Sequence, residues 1–172
     1  VVPAATYGQF TDYLSVLPAP YRVDVTGAND PENVLFPFFV DASGFGDVPS
    51  IVFASGFITP SANNDGASVG LVAATPTGGE AIALTSVGEA EVQVIHNAAD
   101  TTAKLVDIYV NTLADTIKLD DVAFRDAIPF TALPSGYPLT IRVSLPTSAN
   151  YDDGDIADFP ATLDDGLDYY VV

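Results

Sequence analysis

Apolar residues recur at every second position along much of the chain, and that alternation admits strands and little else. Tyr21, Val23 and Val25 alternate with Arg22 and Asp24, and Tyr137, Leu139, Ile141 and Val143 repeat the pattern. Val106, Ile108 and Val110 alternate with Leu105, Asp107 and Tyr109, which reads as a half-buried strand. Further strands are expected over Thr11–Val16, Val34–Asp41, Ser50–Phe57, Ser68–Ala74, Glu91–His96, Ile156–Leu163 and Asp168–Val172. Turn clusters separate them, among them Pro18-Ala19-Pro20, Asn63-Asn64-Asp65-Gly66, Pro134-Ser135-Gly136 and Asp164-Asp165-Gly166. The 13 Gly and 13 Pro break any helix longer than a few turns. The expected class is all-β, built as antiparallel sandwiches.

A repeat organises these strands. Tyr7, Tyr13, Leu17-Pro18, Tyr21, Val23 and Val25 are matched in order by Phe124, Phe130, Leu133-Pro134, Tyr137, Leu139 and Ile141. Phe36-Pro37 and Val40-Asp41 then match Phe159-Pro160 and Leu163-Asp164, with the longer loop Ser144–Asp155 absorbing the growing offset. Ser50–Phe53 corresponds loosely to Tyr169–Val172. Two domains in tandem are expected, 1–86 and 87–172, and each is incomplete. The first lacks its opening strands, the counterpart of Val92–Asn111, and the second lacks its closing strands, the counterpart of Ala54–Leu84.

Composition narrows the function classes. Five Lys plus Arg against 23 Asp plus Glu give a net charge of −18, which leaves too few cations for a phosphate-binding face. Docking on an anionic membrane is disfavoured for the same reason, and no apolar run approaches the roughly 20 residues of a spanning helix. With no Cys there is no disulfide framework, thiolate metal site or Cys nucleophile. The absence of Met extends to position 1, so Val1 reads as the first residue of a processed chain or of a piece of a longer one. An acidic, thiol-free chain suits a salty extracellular setting, where screening tolerates its self-repulsion.

The run Glu91–Asp100 followed by Val106–Asn111 resembles the opening strand pair of the family called domain of unknown function 4397. Asp121–Phe124, Phe130 and Leu133–Tyr137 continue that pattern in order, and Tyr7–Leu14 with Val52–Phe57 is similar to its later half. The resemblance implies two immunoglobulin-like sandwiches in series, of the kind found in secreted or surface-attached microbial proteins. It implies no catalytic residues.

Candidate sites are few. His96, the only histidine, lacks the spaced partners of a zinc site or a triad, and reads as a strand-end residue bonding a turn. Asp152, Asp153, Asp155 and Asp158 form the densest acidic cluster, and oxygen ligands around a flexible Gly154 suit Ca²⁺ without matching any known calcium loop. Calcium is the one cofactor weighed. Val34–Val40 is apolar on both faces, so Phe36 and Phe38 are candidates for partner contact. Val1, Val2, Tyr169, Tyr170, Val171 and Val172 join them as an expected assembly interface at the ragged ends. No GxSxG, HExxH, P-loop or dinucleotide fingerprint is present, and no enzyme is expected.

The expected function is a non-enzymatic extracellular structural module of a repetitive surface protein or filament, assembled by strand complementation. Its partners would be further copies of itself or neighbouring repeats, without nucleic acid or membrane insertion. Two alternatives are a cell-surface adhesion or glycan-binding module using Ca²⁺, and a passive surface spacer.

Overall fold

The chain is described by a computed structural model that covers Val2, residues 4–76 and residues 78–172. It is all-β, with two compact units over 1–86 and 87–172.

In the first unit β1 (Pro20–Gly27) and β2 (Asp30–Asp41) form a long antiparallel hairpin, turned at Asn29 with φ 62°. Asn tolerates that left-handed conformation better than most residues, because its short polar side chain bonds locally. A second sheet contains β3 (Ile51–Ser55), β4 (Gly70–Ala74) and the short β5 (Ile82–Ala83) in the order β3-β4-β5. The short β6 (Thr85–Ser86) extends the first sheet to β1-β2-β6, pairing only with Phe38 and Phe39. Pro37 lies beyond that short partner, so its missing N–H is tolerated in an otherwise apolar strand. Phe38, Leu71, Ala73 and Leu84 make the core, with Val23, Val25, Phe36 and Val40 packed against them.

The second unit comprises β7 (Glu89–Val94), β8 (Leu105–Asn111), β9 (Thr116–Ala123), β10 (Thr131–Pro134), β11 (Pro138–Ser144), β12 (Asp155–Thr162) and β13 (Asp168–Val171). They form two sheets, ordered β10-β7-β13 and β12-β11-β8-β9. The pairs are antiparallel except β13 with β7, which run parallel from Asp168↔Glu91 to Val171↔Val94. Ala90, Val92 and Val94 from one sheet meet Val106, Ile108, Val110, Leu139 and Ile141 from the other in one core. Each buried Val, Leu or Ile side chain among them contributes about 1.5–3 kcal/mol by leaving water.

Three expectations change here. Thr11–Val16 is not a strand but an exposed, unpaired segment, since no neighbouring strand offers its backbone a ladder. β8 is buried on both faces rather than one, because the loop between β11 and β12 covers the face carrying Asp107 and Tyr109. β9 and β10 lie where no alternating run signalled a strand.

Candidate functional site

In the first unit β1 and β3 are edge strands of their sheets, each with one unpaired side. β3 pairs only with β4, and β1 only with β2. Every residue of β3 is exposed, including Ile51, Val52 and Phe53, although Ile-Val-Phe is the composition of a buried strand. Upstream, Leu14 and Leu17 are exposed as well. Leu17 is 78% exposed, whereas its repeat counterpart Leu133, on β10 where it pairs with β7, is 3% exposed. In the second unit β7 is the strand paired with β10 at Leu133, and β7 also occupies the edge of β13. The first unit has no strand in either role among the described residues.

The second unit carries a polar cluster that alternation alone did not reveal. At Asp107 the β8–β9 ladder slips, leaving a bulge in which Asp121 adopts φ 54°. The Asp121 N–H so released donates to Asp107 Oδ1 at 2.9 Å. Asp107 Oδ2 accepts from Ser148 Oγ at 2.7 Å and faces Lys118 Nζ at 2.9 Å. Lys118 also reaches Asp120 Oδ1 at 2.6 Å and the Ser148 carbonyl at 3.1 Å. Burial alone would raise the Asp107 pKa; the Asp121 N–H, the Ser148 hydroxyl and Lys118 outweigh it and hold the carboxyl below its ordinary value. Asp107, Asp120 and Asp121 come close enough together to suit a cation, but the Lys118 ammonium already supplies that charge. The cluster therefore acts as a latch holding loop 145–154 on β8.

Arg142 closes the same loop from β11. Its guanidinium bonds Asp158 through Nε at 2.6 Å and Nη2 at 2.8 Å, donates to the Tyr151 carbonyl at 2.8 Å, and lies 4.0 Å from the Tyr151 ring centre. This fork geometry needs arginine. Tyr151 meets Tyr109 edge-on at 6.3 Å, beside an open cleft of about 410 Å³ where Lys118, Asn150 and Asp152 also line the wall.

No family model, curated protein or solved structure matches the chain. Its function therefore rests on the residues themselves.

The acidic cluster expected to hold calcium does not converge. Asp158 is engaged by Arg142, Asp153 accepts the Ala149 N–H at 3.0 Å, and Asp152 lies 3.9 Å from Arg142. No three of Asp152, Asp153, Asp155 and Asp158 approach within 4.8 Å of one another among the described residues. Phe38, expected at a partner surface, is instead 2% exposed and central to the first core, because the β4 side chains Leu71 and Ala73 cover it. Phe36 packs beside it, half-buried. Tyr169 and Val171 pack on the second core, while Tyr170 stays exposed edge-on to Phe130, and Val2 and Val172 are exposed. Val1 lies outside the described residues. His96 Nε2 donates to the Ala103 carbonyl at 2.6 Å, and its backbone bonds Asp126 and Arg125, which is a turn-fixing role. The latch had one sequence signal, an Asp inside the apolar run Leu105–Val110. β3 was expected as part of a strand over Ser50–Phe57, but nothing in its apolar composition signalled its exposure.

Proposed function

We propose that the chain is a non-enzymatic extracellular structural module, two immunoglobulin-like sandwiches in series, that associates with further copies of the same repeat in a surface protein or filament. One observation carries this reading. Leu17 is exposed where its repeat counterpart Leu133 is buried, and Tyr21, Val23 and Val25 are only half-buried where Tyr137, Leu139 and Ile141 are buried. Exposed apolar strand edges are templates for pairing with another chain, so a protein that keeps them has a use for them.

The second unit supports the reading from the opposite side. Phe159 on the edge strand β12 is 52% exposed, whereas its counterpart Phe36 packs on a core covered by β4. Each unit holds a strand that the other lacks. Extracellular placement rests on the acidic, thiol-free composition and on the resemblance described above. The glycan-binding alternative has less support, because Lys118 and Arg142 beside the Tyr109–Tyr151 cleft are engaged within the protein.

The test is the mass of the purified chain by light scattering in high salt. Species heavier than 17.9 kDa that grow with concentration are expected. A monodisperse monomer across concentration and salt would count against association and favour a passive spacer.

A further inference from the structure

We infer that the open edges of β3 and β1 form one composite docking site for a strand pair of the β7–β8 type, contributed by another copy of the repeat. The inference rests on the proposed function for the source of the strands, and on the strand orders for their placement.

In the second unit β7 runs along the edge of β13, and β8 runs along the edge of β11. These are consecutive strands in different sheets, so the segment Glu89–Asn111 crosses from one sheet to the other. In the repeat, β13 corresponds to β3 and β11 to β1. Both corresponding strands in the first unit have an unpaired side. The open edges of β1 and β3, which lie in different sheets, are thus the two that a single continuous segment fills in the other unit. An isolated edge could belong to any partner, but this combination fits a strand pair that bridges sheets.

The repeat also sets the register. The match of Ile51-Val52 to Tyr170-Val171, together with the pairs Tyr170↔Gln93 and Val171↔Val94, places Ile51 beside the Gln93 position and Val52 beside the Val94 position in a parallel ladder. The match of Val25 to Ile141, with Ile141↔Val110, places Val25 beside the Val110 position. The pattern of the incoming strand follows from β7 itself, where Ala90, Val92 and Val94 point into the core and Glu89 and Glu91 face out. Main-chain bonds supply the pairing and the alternate apolar side chains supply the selectivity, as in other strand additions. Filling this site also gives residues 14–17 the partner that β10 has in β7, so the exposed Leu14 and Leu17 gain a ladder and cover.

The experiment uses the full chain and a synthetic peptide of residues Glu89–Asn111, with a Val92→Asp/Val94→Asp peptide as control. Hydrogen exchange is followed residue by residue beside the solution mass. The inference expects one peptide per chain, and exchange in β3, β1 and residues 14–17 slowed by roughly tenfold or more. β13 and β11 should be unaffected, and the control peptide should be silent. To guard against a peptide that fails to fold, the same segment is also fused ahead of the chain through a Gly-Ser linker. If neither form protects β3 and β1, the inference is overturned. Self-association without such protection overturns the inference and leaves the proposed function standing. Protection in a chain that stays monomeric supports the docking site and removes the self-associating function.

Discussion

Leu17 and Leu133 hold the same place in an internal repeat, yet Leu17 is 78% exposed and Leu133 is 3% exposed. The second unit pairs β7 beside that position, and the first unit has no counterpart of β7 among the described residues.

Truncating the two leucines should have opposite consequences. Leu133→Ala removes a buried side chain and should cost about 3 kcal/mol in urea unfolding of the second unit. Leu17→Ala should change the unfolding midpoint by no more than about 0.5 kcal/mol, as exposed positions do. It should instead weaken association measured by light scattering. Equal destabilisation by both would mean that Leu17 is already buried in the isolated chain.

The Asp107 latch should be costly to break. Asp107→Ala leaves Lys118, Ser148 and the Asp121 N–H without their shared acceptor, so a loss of about 3 kcal/mol is expected. Denaturant unfolding of the second unit measures it. Loss of order in loop 145–154 should accompany it, visible as faster exchange of the Ser148 amide.

Acid should weaken the second unit. The Asp107 pKa is lowered in the folded state, where the stabilising bonds outweigh burial, so the unfolded chain takes up protons first. Its contribution is complete above the ordinary value of 3.8 and disappears as pH falls through the lower folded value. Asp158, lowered by its bond to Arg142, acts in the same direction. Melting temperature should therefore drop below about pH 4, less steeply in Asp107→Asn than in the parent.

Association should strengthen with salt. Chains carrying −18 repel one another, and screening shortens that repulsion to about 10 Å at 0.1 M ionic strength. Sedimentation across a salt series reads this directly. Complexes that dissolve as salt rises would point to attraction between opposite charges instead.

Much of the strand pattern was legible because burial on one face writes itself as alternation. Val23 with Val25 and Leu139 with Ile141 lie on β1 and β11 as that pattern implies. The failures have physical causes. Thr11–Val16 has the composition of a strand, but a strand exists only where a neighbour accepts its hydrogen bonds. Phe38 looked available because β2 is apolar on both faces, and only the packing of Leu71 and Ala73 shows which face is covered. Of the site residues, the carboxylates at Asp152–Asp158 were visible as a cluster, but their partners Arg142 and the Ala149 N–H come from other parts of the chain or turn geometry. Asp107 was visible as an acid in an apolar strand. Its lysine lies across the ladder in β9, where periodicity gives no hint.

The most direct test is the solution mass of the chain in high salt, compared with a Val52→Pro variant. Proline at the exposed edge of β3 blocks strand addition there, while the core of the first unit is left intact. Concentration-dependent species above 17.9 kDa are expected for the parent, and reversion to monomer for the variant. A parent chain that stays at 17.9 kDa at every salt and concentration would contradict self-association.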